Sequence, residues 1–174
     1  MANITGILCQ VITGTGNGAG TDGDVYLGIC GREFHLDSSA DDFERGSLRE
    51  YIMGRAPLEP NLPSPQIRVN NSVLNDPRTD YIMKTETLPS MPVYIRFEPN
   101  GDNDHWQLHF AAVLVYTGRG DFNTAYIPPQ DFDNLWLGYR SGKILYLQEL
   151  PDVTGDHALE RGREKAKTLG INAE

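Results

Sequence analysis

The chain has 174 residues, enough for one domain with a hydrophobic core, and its apolar content is 39%. The formal net charge of −9 disfavours nucleic acid as a partner, and it also disfavours simple electrostatic attraction to anionic lipid. No stretch approaches the roughly 20 apolar residues of a transmembrane segment. The first residues, MANITGILCQ, resemble a first strand more than a signal peptide, so we expect a cytoplasmic protein, with peripheral membrane association as an alternative.

Alternating apolar residues predict short strands along most of the chain. Over 4–13, Ile7, Cys9 and Val11 share one face, while Leu8 and Ile12 share the other. A strand with two apolar faces is typical of a layered β-sandwich. Further strands are predicted over 24–30, 32–36, 92–98, 106–116, 123–128, 134–139 and 143–148, and 46–53 is either a strand or a short helical piece. About eight strands joined by short turns indicate an all-β fold, an antiparallel sandwich.

Residues 55–92 hold seven prolines, which exclude a regular helix and central strands. We interpret this segment as a Pro-rich insertion with edge strands over 66–69 and 81–84. We expect this insertion to have a functional role, to form an oligomer contact or to extend the sheet.

The C-terminal residues change to a helical period, so we divide the chain into a sandwich domain, 1–150, and a helical tail, 151–174. Thr154 or Asp156 is the expected N-cap, and Gly170 the expected end. The apolar positions of this helix, Leu159, Ala166 and Leu169, are few, which predicts a solvated surface helix, with a partner-binding helix as the alternative.

The cysteines and histidines give no catalytic or zinc pattern. Cys9 and Cys30 lack the spacing of a metal site, and we expect two buried free thiols rather than a disulfide. The four histidines are scattered, whereas a zinc site needs three or four converging ligands.

Two loops between predicted strands carry oxygen ligands. The glycine-rich loop TGTGNGAGTDG offers backbone carbonyls and Asp22, and the acidic loop DSSADDFE offers Asp41, Asp42 and Glu44. Oxygen donors from two loops at one end of a hairpin suit a hard cation such as Ca²⁺. The glycines also fit a relaxed dinucleotide pattern, but that site needs a helix next, and DVYLGI continues as a strand. The loops therefore predict a metal-assisted binding module more readily than an enzyme.

These segments resemble the PLAT, or lipoxygenase-homology, domain family. The resemblance rests on GTGNGAGTDGDVYLGICG with DDFERGS, on RFEPNGDNDHWQLHFAAVLV, and on DNLWLGY. It implies two four-stranded antiparallel sheets, no catalytic residues, Ca²⁺ at one end, and association with a membrane or a protein partner. Phe43 is expected to pack beneath the acidic loop. The Ca²⁺ ligands implied by position are the carbonyls of Gly20 and Thr21 and the carboxylates of Asp22, Asp41, Asp42 and Glu44.

Two features depart from the family pattern. Membrane-binding members carry exposed tryptophans on the calcium loops, whereas Trp106 and Trp136 fall at expected core positions. The Pro-rich insertion stands where the family has a short connection. We therefore keep two main hypotheses: a noncatalytic, calcium-binding docking module, and a metal-independent assembly domain that uses the insertion and the helix.

A third hypothesis is a hydrolase or a carbohydrate-binding jelly roll. A sugar site requires exposed aromatic side chains on a sheet face. The candidates are Tyr94, Tyr116, Tyr126 and Tyr139.

Overall fold

Two layers of β-strands and one helix make up the computed structural model, which describes residues 1–57, 65–151 and 154–172. Parts of the Pro-rich insertion (58–64) and of the tail (152–153 and 173–174) lie outside the described residues. The elements are β1 Ile4–Thr13, β2 Asp24–Ile29, β3 Arg32–His35, β4 Leu48–Gly54, β5 Gln66–Arg68, β6 Val93–Glu98, β7 His105–Thr117, β8 Asp121–Ile127, β9 Leu135–Gly138, β10 Ile144–Leu150 and α1 Gly155–Thr168.

The predicted antiparallel sandwich is confirmed. One layer has the strand order β3-β2-β6-β10, and the other has β8-β7-β1-β4, extended by β5 at its edge and by β9 beside the start of β7. Only the β4–β5 pair among these strands is parallel. The first half of β10 pairs with β6 and its second half pairs with β8, so this strand joins the two layers into one curled sheet.

The alternation predicted for β1 is confirmed, because its two faces belong to two separate cores. Ile7, Cys9 and Val11 lie between the two layers. Leu8 and Ile12 point the other way, into a second core. The two-sided apolar pattern of the sequence therefore reports a central strand that is covered on both faces.

The helix closes this second core, which corrects the prediction of a solvated helix. Buried residues of α1 pack on the outer face of the β8-β7-β1-β4 layer, where the Gln10 side-chain amide donates to the Leu159 carbonyl at 3.1 Å. Arg163 donates to the carboxylate of Glu50, which is 0% exposed. The helix begins after Thr154, one of the two predicted N-caps, and Gly170 follows its C-cap.

The Pro-rich insertion extends the sheet in its described part. The predicted edge strand over 66–69 is confirmed as β5, which hydrogen-bonds to β4. The strand predicted over 81–84 is wrong, since Lys84 makes a single bridge to Asn3. Two short 3-10 helices, Pro77–Thr79 and Leu88–Ser90, occupy much of the remainder.

Both thiols are buried and free, as predicted. Burial raises the pKa of Cys30 to about 11 and raises that of Cys9 further.

Candidate functional site

The glycine-rich loop follows β1 and is held against β7 by one buried side chain. The Gly16 backbone N–H donates to Gln107 Oε1 at 3.0 Å, and the Gly14 N–H donates to the Gln107 carbonyl at 2.8 Å. A Cβ on Gly14 would collide with the Gln107 side chain. The first glycines of the loop are therefore required for close packing rather than for binding a ligand.

The acidic loop is organised around Asp42. Its carboxylate accepts from the Ser38 N–H at 2.6 Å, from the Ser38 hydroxyl at 2.8 Å and from the Tyr51 hydroxyl at 2.9 Å. Burial, followed by the charge of Asp42, raises the pKa of Tyr51, so this hydroxyl remains a proton donor. Asp42 thus fixes the shape of the loop from within.

Phe43 packs beneath the acidic loop, as predicted. It is 5% exposed, and its ring lies 5.6 Å from the Tyr51 ring and 5.4 Å from the Trp106 ring. Its φ of 59° is unusual for a residue other than glycine, asparagine or aspartate. We infer that the aromatic contacts offset the cost of this backbone conformation.

The structure brings the two predicted loops into contact. The Thr21 N–H donates to the Phe43 carbonyl at 3.3 Å. The Thr21 hydroxyl donates to Asp104 Oδ1 at 2.7 Å, which ties a further segment, PNGDND at 99–104, to the same end of the sandwich. Asp104 also accepts from the Asn100 N–H at 2.7 Å. The two loops beside the β2–β3 hairpin and the later segment before β7 therefore form one acidic end.

A cavity of about 220 Å³ opens at this acidic end. Four of the six predicted calcium ligands line it: Thr21, Asp22, Asp41 and Asp42. Gly20 and Glu44 do not: Gly20 lies against the backbone of Arg45, and Glu44 lines a neighbouring cavity with Asp41. Asp24, His35 and Asp37 join the lining, although the ligand prediction did not include them.

The carboxylates of the cavity differ in how far they are already engaged. Those of Asp22 and Asp41 are exposed and accept no hydrogen bond within the described part of the chain. Asp37 accepts from the Asn70 amide at 2.9 Å, and Asp24 accepts from His35 Nε2 at 2.9 Å. In the ranges that the structure describes, no three His, Cys, Asp or Glu side chains converge as a metal cluster. In the described part of the chain, Asp22 and Asp41 therefore keep carboxylate oxygens available for a hard cation.

The positions of the aromatic residues refine the sequence analysis. Trp106 is fully buried, as predicted, and its indole N–H donates to the Thr13 hydroxyl at 2.9 Å. Trp136 is only half-buried, so its predicted core position is wrong. Tyr116 and Tyr126 are buried, which removes them from the candidate sugar-binding residues.

Gln107 and Asp104 support the site but were not among the residues predicted from the sequence. Both lie on or just before β7, more than 80 residues after the loops that they hold. The acidic turn before Trp106 was a visible signal for Asp104. For Gln107 the only signal was a polar residue between apolar ones in the strand predicted over 106–116.

None of the helices in the described ranges has the length and apolar character needed to cross a bilayer. No protein-family model and no curated protein matches this sequence.

Solved structures with a similar fold were found. The alpha toxin from Clostridium absonum matches with 19% identity and a TM-score of 0.51, covering 84% of this chain and 32% of the toxin. The Clostridium perfringens alpha-toxin isolated from avian strain SWCP matches with 20% identity and a TM-score of 0.52 over the same shares. Coral 8R-lipoxygenase, described as activated by calcium via a C2-like domain, has 18% identity and a TM-score of 0.47 over 93% of this chain and 20% of the enzyme. A TM-score this low supports no conclusion about this chain. The chain spans about a third of each toxin, and the likeness to them shows the fold alone, a β-sandwich consistent with a PLAT-like domain.

Proposed function

We propose that this chain is a noncatalytic module that binds Ca²⁺ at its acidic end and docks through that end onto a lipid-membrane or protein surface. The observation that carries the proposal is the shared cavity of Asp22 and Asp41, two exposed carboxylates from the loops on either side of the β2–β3 hairpin, which the Thr21–Phe43 hydrogen bond joins. Oxygen ligands such as carboxylates are the type that Ca²⁺ prefers.

The charge of the chain gives calcium a physical role in docking. A net charge of −9 repels phosphate headgroups, and the acidic end concentrates that charge around one cavity. A bound divalent cation offsets part of this negative charge and can be shared with an anionic headgroup or a carboxylate of a partner. Docking is therefore expected to depend on calcium and to weaken as salt concentration rises.

Neither thiol has the features of a catalytic nucleophile. Catalytic cysteines are partly exposed and have lowered pKa values, whereas burial raises the pKa of Cys9 and Cys30.

Calorimetric titration and thermal unfolding with Ca²⁺ test the metal claim. At a concentration 100 times the dissociation constant, a ligand stabilises the folded chain by about 2.7 kcal/mol, a rise in Tm of roughly 5–11 °C. Asp22→Asn and Asp41→Asn should abolish this rise, whereas Glu86→Gln, which changes an exposed carboxylate in the insertion, should retain it. No heat and no change in Tm for the wild-type chain would refute calcium binding.

Flotation with vesicles of phosphatidylcholine and phosphatidylserine then identifies the surface. Recovery with the vesicles in Ca²⁺ but not in EDTA supports a lipid partner. Calcium binding without flotation assigns the docking surface to a protein.

The metal-independent assembly hypothesis retains one supporting observation. Three large apolar side chains of the insertion are highly exposed: Val73 at 76%, Leu74 at 74% and Tyr81 at 85%. The helix no longer supports this hypothesis, because its apolar face packs on its own sheet. Light scattering of the wild type and of a Val73→Ser, Leu74→Ser variant in EDTA tests it. A wild-type oligomer that dissociates in the variant would favour assembly, and a monomer in both would exclude this surface.

A further inference from the structure

The outer face of the β3-β2-β6-β10 sheet presents two ordered rows of side chains, far from the face that α1 covers. Cross-strand pairing aligns one residue from each strand in the order β10, β6, β2, β3. The first row is Tyr146, Tyr94, Gly28 and Glu33. The second row, two residues along each strand, is Ile144, Arg96, Tyr26 and His35. Because residues two apart share a face of a strand, both rows point outward together.

In the first row, Tyr94 lies flat on the sheet. A Cβ on Gly28 would collide with the Tyr94 ring, so the ring crosses the glycine backbone. The Tyr94 hydroxyl reaches the next strand and donates to Glu33 Oε1 at 3.0 Å. Tyr146, which is 56% exposed, meets Tyr94 edge-on, with ring centroids 6.1 Å apart and an angle of 69°. One flat ring and one upright ring therefore form a step on an open surface.

The second row is a stack of planar groups. The Arg96 guanidinium lies 4.3 Å from the centroid of the Tyr26 ring. Tyr26 in turn stacks on His35, with centroids 4.9 Å apart and an angle of 22°. These contacts fix the side chains in place, so little conformational entropy remains to be lost when a ligand binds.

The charges on this face are largely compensated within it. Arg96 donates to Glu33 from Nε at 2.7 Å and from a terminal nitrogen at 2.8 Å, and its other terminal nitrogen donates to Glu98 at 2.8 Å. The hydrogen bond from Arg96 lowers the pKa of Glu33, so the carboxylate stays ionised at neutral pH. A cluster that is already paired offers weak attraction to phosphate, but its remaining lone pairs and N–H groups can bind neutral hydroxyls.

We propose that these two rows, the tyrosine platform, bind a neutral oligosaccharide. A pyranose ring stacks its C–H face on Tyr94 against Tyr146, and its hydroxyls bond to Glu33 and Arg96. Flat rings fixed beside paired polar groups match a ligand that is apolar on its ring faces and polar at its rim. A protein partner fits less well, because interface hot spots concentrate in well-packed pockets. The platform adjoins the acidic cavity, because His35 belongs to the second row and also lines that cavity, but binding of a neutral sugar does not depend on calcium.

A titration of the ¹⁵N-labelled full chain, followed by amide NMR shifts, tests the platform. The neutral probes are cellohexaose, mannohexaose, maltohexaose and chitohexaose, and the anionic comparison is hexagalacturonate. At least one neutral probe should shift the amides of both rows at concentrations where the anionic probe does not. Tyr146→Ala should weaken this binding by about tenfold, the equivalent of one aromatic contact.

The matched control is Tyr81→Ala, since Tyr81 is 85% exposed but lies in the insertion. Its binding should equal that of the wild type. Absence of shifts with all four neutral probes would overturn the proposal, as would equal binding by Tyr146→Ala and the wild type. Shifts of the same amides with protein concentration alone would assign the face to self-association, and would overturn it too.

Discussion

Replacement of Asp42 separates loop support from metal ligation. Asp42→Ala removes the acceptor of three hydrogen bonds, from the Ser38 N–H, the Ser38 hydroxyl and the Tyr51 hydroxyl. Tyr51 is 0% exposed, so its hydroxyl would lose its partner inside the protein. An unsatisfied buried donor costs about 1–3 kcal/mol, and hydrogen bonds to a charged group contribute about 1.5–3 kcal/mol each, though not additively. We expect a loss of about 3 kcal/mol, which lowers Tm by roughly 6–12 °C.

The assay is thermal unfolding in EDTA, where no metal contributes to stability. Asp41→Ala is the matched control, because Asp41 is the exposed neighbour whose carboxylate accepts no hydrogen bond within the described residues. It should change the free energy of unfolding by less than about 0.5 kcal/mol. If Asp42→Ala unfolds at the wild-type temperature in EDTA, the structural role assigned to this carboxylate is refuted.

Two further predictions concern the interior. Arg163→Ala leaves the buried carboxylate of Glu50 without its main cation. We expect urea unfolding to show that the free energy of unfolding falls by about 3–5 kcal/mol. Arg161→Ala, on the exposed side of α1, should change this free energy very little. An equal effect of the two variants would contradict the buried pair. Neither thiol should react with Ellman's reagent at pH 8 in the folded chain, because a pKa of about 11 leaves Cys30 about 0.1% thiolate and burial protects Cys9 further. Both should react in urea, and rapid reaction without denaturant would show that the core is open.

The sandwich could be predicted from the sequence because apolar residues alternate along a strand as its buried and outward-facing positions do. In β6, Val93, Ile95 and Phe97 alternate with Tyr94 and Arg96, and the structure buries the first set between the layers. The junction at β10 could not be predicted in this way. Its residues pair with β6 in one half and with β8 in the other, and periodicity carries no information about which strand is the neighbour.

At the acidic end, the direction of the side chains could not be predicted from the sequence. The sequence identified the oxygen-bearing residues, but side-chain direction depends on partners that are distant along the chain. Asp41 and Asp42 are adjacent and chemically identical, yet the carboxylate of Asp42 turns inward because Tyr51 of β4 and Ser38 donate to it. Both residues line the cavity, but within the described ranges Asp41 has no such donor and its carboxylate is exposed. The difference between ligand and support is therefore set by tertiary contacts.

The helix was predicted to be solvated, whereas it packs on the sheet. Its apolar positions are few, which suggested solvation, but its buried face consists mostly of small residues, at 155, 158, 162 and 166. A Cβ on Gly162 would collide with the Gln10 side chain, so this spacing lets the helix approach the sheet closely. The sheet supplies the large side chains, such as Phe110 and Leu114, and the apolar area buried is shared between the two surfaces. Small residues at intervals of three or four are thus the feature of the sequence that indicates a helix docked on its own sheet, and a count of large apolar residues misses it. Gly162→Leu tests this point: the larger side chain improves helix propensity, so a solvated helix would become more stable, whereas the docked helix should lose at least about 1–3 kcal/mol through overpacking.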